Sequence, residues 1–265
     1  MSSDGVGRPD SWEDEGENAE ALPTIGVVGL GYVGLRLAHA FDDEGHTVHG
    51  FDVDDTRIQQ LRRGEDPTRE VGAAALESGS VSYTADPGRL RDCQYVLLSV
   101  PTPTTDAKEP DLSAVEAAGE TTGRHLSADT TVVLESTVYP GATREVLRPA
   151  LEAESGLTAG EDFSLGFCPE RVVPGADGRD FRDIVKVVSA LTEPAAHRLQ
   201  ALYERLLETE VHVAPTIETA EAAKCIENTQ RDLNIALMNE FAIACAEADL
   251  DLRTEDVLTA AGTKW

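Results

Sequence analysis

From Thr24 onward, short apolar runs alternate with stretches in which hydrophobic side chains recur every three or four residues. The runs at Thr24–Gly29, Thr47–Asp52, Tyr95–Val100, Thr131–Glu135, Ser164–Phe167, Ile184–Ser189 and Val211–Val213 read as strands. Helical spacing falls at Tyr32–Glu44, Asp55–Arg62, Ser113–Arg124, Ala142–Glu152 and Pro194–Leu207. This alternation predicts an α/β fold, a Rossmann-like doubly wound parallel sheet with helices on both faces. After Pro215 the pattern changes. Thr216 can cap a helix, Glu218 suits its first turn, and Ile217–Ala248 holds neither proline nor glycine. One long helix is expected there, able to enter a further domain or to pair with its copy in a homodimer. Leu252–Ala261 reads as a shorter helix ended by Gly262. Residues 1–22 offer almost nothing to bury and are expected to be a disordered acidic tail. The chain thus divides into that tail, a sheet domain over 23–214, and the long helix opening a second domain over 215–265.

Charge adds a second constraint. The 265 residues carry 49 Asp+Glu against 22 Lys+Arg, a formal charge of -27 that is spread along the chain. Such a charge repels itself at low salt and is tolerated where salt screens it, so the composition suggests a salt-rich cytoplasm. It also argues against a nucleic-acid partner, whose phosphates would be repelled. No apolar run reaches bilayer-spanning length, so no membrane partner is expected, and the acidic N-terminus does not read as a signal peptide. Only four lysines remain: Lys108, Lys186, Lys224 and Lys264. The four cysteines, Cys93, Cys168, Cys225 and Cys245, have no metal-binding spacing and read as buried thiols; no metal is expected.

Two constellations carry chemistry. Gly29-Leu-Gly31-Tyr32-Val33-Gly34 lies between a strand and a helix, the G-x-G-x-x-G arrangement that brings backbone close to a pyrophosphate at a helix N-terminus. Asp52 ends the next strand at about the ~20-residue spacing of a ribose-binding acid and favours NAD over NADP. Arg57 is placed to reach the adenosine side. The second constellation is Lys224 and Asn228, four apart on the long helix and so neighbours on one face. A cation beside a neutral amide suits an oxygen that gains negative charge as its carbon is oxidised. The plainer reading pairs Lys224 with Glu221 or Glu227 along the helix.

Further segments complete a pattern: Val100-Pro101-Thr102-Pro103, Pro110-Asp-Leu-Ser113, Glu135-Ser136-Thr137-Val-Tyr-Pro-Gly141, Cys168-Pro-Glu170-Arg171 with Pro174-Gly175, and Lys224-x-x-x-Asn228. With them the chain resembles the nucleotide-sugar 6-dehydrogenases of the UDP-glucose/GDP-mannose dehydrogenase family, and the wording is most similar to those acting on UDP-N-acetylglucosamine and UDP-N-acetylmannosamine. The resemblance implies a cytoplasmic, NAD-dependent oxidation of a UDP-sugar at C6 for surface polysaccharide synthesis. In such enzymes a cysteine traps the aldehyde, a second NAD oxidises it to a thioester, and water releases the acid. Carried onto this sequence, Glu170 matches the acid/base of hydrolysis, Lys224 and Asn228 the pair that steadies the oxyanion, and Thr137 a hydroxyl positioning water or the C6 oxygen. Val100, Pro101 and Thr102, with Ser136 and Thr137, match loops along the cofactor. Glu170 could instead form a loop salt bridge with Arg171, and Thr137 could simply pack.

The resemblance also implies what is missing. The family's nucleophilic cysteine segment and uridine-diphosphate-binding domain have no counterpart before Trp265. Cys225 adjoins Lys224 but projects about 100° away on a helix, and the family gives no precedent for Cys168 as nucleophile. A non-catalytic NAD-binding module, or half of a split enzyme completed by a second chain, therefore stands beside the dehydrogenase reading. A β-hydroxyacid dehydrogenase shares the lysine–asparagine logic but not the two long motifs.

Overall fold

A computed structural model describes residues 22–171, 181–248 and 252–263. Residues 1–21 of the tail and Pro174-Gly175 therefore lie outside the described residues. Eight strands form one sheet in the order β3-β2-β1-β4-β5-β6-β7-β8. They are β1 (Ile25–Val28), β2 (Val48–Phe51), β3 (Ser82–Thr84), β4 (Tyr95–Leu98), β5 (Thr131–Leu134), β6 (Ser164–Phe167), β7 (Lys186–Ala190) and β8 (Val211–Val213). The central strands are buried end to end, as expected where both faces are covered. Helices α1 (Tyr32–Asp43), α2 (Asp55–Arg62) and α6 (Glu193–Glu204) pack one face through Leu35, Ile58 and Leu199. The other face carries α4 (Ser113–Gly123) and α5 (Arg148–Ser155), seated by Val115 and Leu151 over Val96, Val132 and Leu165.

Three expectations need correction. The sheet is not wholly parallel: β7 runs antiparallel to β6, pairing Gly166 with Ala190 and Phe167 with Ser189, and β8 follows β7 in parallel. Strand β3 and the short helix α3 (Ala73–Ser78) were not legible, because three and six residues are too few to display a period. The helix expected at Ala142–Glu152 opens with a π-helical turn at Thr143–Leu147 before α5 begins.

The long helix α7 spans Ile217–Glu247, capped by Thr216 Oγ1, which accepts from the Thr219 amide at 3.1 Å. Ile217 and Ala220 bury themselves with Leu134 and Phe167. Beyond that first stretch α7 turns apolar side chains to solvent: Leu233, Leu237 and Ile243 are each more than half exposed. Helix α8 (Thr254–Gly262) follows. Among the described residues no helix is long and apolar enough to cross a membrane.

Candidate active site

In an open parallel sheet, loops at the carboxyl ends of the strands form the ligand crevice. Here the loops after β1, β2, β4, β5 and β6 carry the motifs in turn. A cavity of ≈ 600 Å³ opens between the first three, lined by Gly29, Gly31, Tyr32, Val33, Asp52, Val100 and Pro101, with Ala114 and Ala118 of α4. Gly29 sits at φ +88, and a Cβ there would lie 2.4 Å from the Ser99 carbonyl oxygen. A Cβ on Gly34 would lie 1.9 Å from the Gly29 oxygen, so helix and loop can close only on glycine. Gly31 caps α1 and has open space beside it, and no acidic residue occupies the first turn of α1. The free N–H groups of that turn therefore face a site suited to a pyrophosphate.

Asp52 both lines the cavity and ties it together. Its Oδ2 accepts the Leu30 amide at 2.8 Å and its Oδ1 the Asp54 amide at 3.0 Å, leaving lone pairs for a ribose diol. Arg57 does not line the cavity. Its Nε and Nη2 both donate to the Leu30 carbonyl, at 2.9 and 2.7 Å, and the guanidinium adds an ion pair to Asp66. It braces the glycine loop from the side of α2.

The loops after β4 and β5 are stitched to one another. Ser136 Oγ accepts from the Val100 amide at 3.0 Å and donates to the Val100 carbonyl at 2.7 Å. Thr102 Oγ1 donates to the Thr137 carbonyl at 2.7 Å, and the Thr137 side chain is exposed. Ser136 and Thr102 therefore shape the rim through the backbone, while the Thr137 hydroxyl is open to solvent.

Helix α7 reaches this edge through Glu221, which is fully buried. Its Oε2 accepts the Gly141 amide at 2.6 Å, and its Oε1 accepts both the Thr143 amide at 2.9 Å and the Thr143 hydroxyl at 2.6 Å. The carboxylate thus caps the helical turn that follows β5 and fixes the rotation of α7. Cys225 adds a bond from Sγ to the Val138 carbonyl at 3.3 Å. One turn on, Lys224 is buried, whereas Asn228 is exposed. The Lys224 amine is held below its usual range: burial lowers it most, Glu227 and Glu170 pull it up, and Arg231 and Arg171 push it down. Glu221 is committed elsewhere, so it is not the ion-pair partner of Lys224 that the plainer reading supposed.

Glu170 follows β6 and is half-buried. Its Oε1 accepts the Arg171 amide at 2.7 Å. The Arg171 guanidinium is taken by the Val185 carbonyl at 2.7 Å and by Glu227, so it forms no loop salt bridge with Glu170. Sequence reasoning missed Lys186, whose Nζ lies 3.9 Å from Glu170 Oε2, and it missed the anchoring role of Glu221. The scarcity of lysine was the one signal that could have singled out Lys186.

Three of the thiols are held toward their protonated form. Burial pushes Cys93 up to about 12, Cys168 well above its usual value and Cys225 upward as well. Cys93, Cys168 and Cys245 are buried as expected, but Cys225 is only half-buried. The described residues hold no cluster suited to a metal.

A glycine-rich turn on a helix N-terminus and an acid at the next strand end describe a dinucleotide-binding module. The chain belongs to the UDP-glucose/GDP-mannose dehydrogenase family: residues 23–207 match its NAD-binding domain and residues 218–265 its central domain. NAD is accordingly the cofactor of the sheet domain. A UDP-N-acetyl-D-glucosamine 6-dehydrogenase of Pseudomonas aeruginosa is 48% identical over 242 residues, covering 91% of this chain and 57% of that protein. Protein CapL of Staphylococcus aureus is 46% identical over 241 residues, covering 91% of this chain and 56% of CapL. The solved UDP-glucose dehydrogenase of Pyrobaculum islandicum superposes with a TM-score of 0.81 at 30% identity, covering 94% of this chain and 58% of that one. The chain thus spans little more than half the length of these relatives.

Proposed function

We propose that this chain supplies the cofactor half of an NAD-dependent 6-dehydrogenase acting on a UDP-N-acetylhexosamine, whose uronic acid product feeds surface glycan synthesis. The carrying observation is that Glu221 brings Lys224 to the sheet edge that holds Asp52 and the glycine loop. NAD, when bound, accepts the hydride. Lys224, with Asn228 one turn further on, offers N–H donors to an oxygen that becomes anionic as its carbon is oxidised. Glu170, on the neighbouring loop, exchanges the proton of a water at the hydrolytic step. The exposed Thr137 hydroxyl orients that water or the sugar oxygen. The carboxylate of Asp52 favours NAD, since a 2′-phosphate would meet like charge.

The test is NADH formation by the full-length protein in molar salt, with UDP-N-acetylglucosamine, UDP-N-acetylmannosamine, UDP-glucose and a β-hydroxyacid offered separately. Turnover of a UDP-N-acetylhexosamine with NAD and not NADP is expected. Turnover of the hydroxyacid alone would overturn the reading, and NAD binding without turnover of any substrate would favour a non-catalytic module.

The exposed face of α7 supports a homodimer, and the charge of -27 supports a protein of a salt-rich cytoplasm. Sedimentation of the full-length protein across a salt series, after recovery from the soluble cell fraction, checks both. A dimer that dissociates and unfolds as salt is withdrawn is expected; a monomer indifferent to salt would refute both statements.

A further inference from the structure

Beside the site lies a buried polar cluster assembled from four elements. Glu135 follows β5, Glu170 follows β6, Lys186 opens β7 and Tyr203 stands on α6. The side chain of Glu135 is 0% exposed and that of Lys186 7%. Lys186 Nζ donates to Glu135 Oε2 at 2.6 Å, and the Tyr203 hydroxyl donates to Glu135 Oε1. The same ammonium lies 4.9 Å from the centroid of the Tyr203 ring. Burial works against the Lys186 charge, but Glu135 and Glu170 outweigh it and hold the amine above its usual range. The reversed direction of β7 makes this possible. Because Phe167 pairs with Ser189, the strand's first residue, Lys186, falls beside the loop that leaves β6.

Stability alone does not account for this pair. Burying two charges costs several kcal/mol of desolvation, and a well-packed apolar pair of similar volume is commonly as stable. What the pair adds is a fixed cation facing Glu170. The 3.9 Å between Lys186 Nζ and Glu170 Oε2 exceeds a direct hydrogen bond. A cavity of ≈ 10 Å³ lined by Glu170, Lys186 and Tyr203 has about the room of one bridging water. Lys224 faces Glu170 as well. The Arg171 guanidinium is committed to Glu227 and to Val185.

We propose that Lys186, anchored by Glu135 and Tyr203, is a positioning residue that holds the Glu170 carboxylate at the strand ends in register with Lys224. This rests on the reading of Glu170 as the acid/base of the site. Lys186 touches neither substrate nor cofactor and acts through Glu170.

Lys186→Met alone would leave a carboxylate buried without its partner and risks unfolding the protein. The test therefore uses the charge-balanced pair Glu135→Gln with Lys186→Met, in which residue 135 can still accept from Tyr203, and Tyr203→Phe as a milder variant. In the full-length protein the pair is expected to lower kcat on the order of tenfold to a hundredfold, as small misplacements of a reacting group do, with KM and NAD affinity unchanged. Tyr203→Phe is expected to give a smaller loss of the same kind. Adding Glu170→Gln to the pair should cost no more than Glu170→Gln alone, because all act on one group. A folded pair variant with wild-type kcat would overturn the proposal. If Glu170→Gln itself leaves turnover intact, the acid/base reading falls, and crystallography then decides positioning separately. The Glu170 carboxylate is expected to leave its place in the pair variant; its retention there would overturn the positioning role whatever the turnover.

Discussion

Replacing Lys224 with methionine in the full-length protein lowers kcat by about two to three orders of magnitude, the loss typical when one oxyanion donor is removed. NAD affinity stays at the wild-type level, because Lys224 is not among the residues lining the cofactor cavity. Stability moves the other way or not at all. Burial depresses the amine, so the folded state disfavours its charge. That penalty is fully present below the folded-state pKa and fades as pH rises toward the unfolded value, so at neutral pH an apolar side chain of similar length removes it. Stopped-flow NADH formation and a melting curve in the same molar-salt buffer separate the two effects. A variant that keeps kcat, or one that loses activity only by unfolding, would sink the assignment of Lys224.

Glu221→Ala is expected to destabilise the protein by about 3–5 kcal/mol, since each buried donor left unsatisfied costs about 1–3 kcal/mol. Three donors, the Gly141 amide and the Thr143 amide and hydroxyl, converge on this carboxylate and would be left without an acceptor. The sign is informative. In a chain of net charge -27, deleting an acid relieves overall repulsion, so a loss of stability isolates the local role. Glu221→Gln should recover part of the loss, since its amide oxygen can keep the two Thr143 donors while its nitrogen cannot accept from the Gly141 amide. Denaturant unfolding at fixed salt measures the effect, and a loss below about 1 kcal/mol, the net worth of one ordinary hydrogen bond, would contradict it. Because Lys224 stands one turn beyond Glu221, the alanine variant also loses turnover even where it remains folded.

Much of this arrangement is legible in the chain because it is local. The glycine fingerprint works over six residues, and each glycine is required by a contact the motif itself creates: Gly34 closes on Gly29, and Gly29 on the strand end at Ser99. Asp52 follows from strand spacing. Lys224 and Asn228 share a helix face because helical geometry puts them there. The direction of β7 also has a signal in the chain. No helix was readable between Phe167 and Ile184, and a parallel neighbour needs a crossover of a dozen or more residues, usually helical.

The sequence by itself determined the class of fold, the glycine turn and the helix that carries the lysine, since each is encoded by periods of two and 3.6 residues and by the backbone freedom of particular glycines. Only the tertiary structure decided which groups meet. Glu221 finds its donors 78 and 80 residues away, Lys186 finds Glu135 across 51, and Tyr203 reaches the same carboxylate across 68. Arg57 likewise reaches the Leu30 carbonyl, 27 residues back. No local pattern specifies such pairings. They follow from strand order, the reversal of β7 and the rotation of α7, and a buried polar group takes whichever partner the completed packing brings within reach.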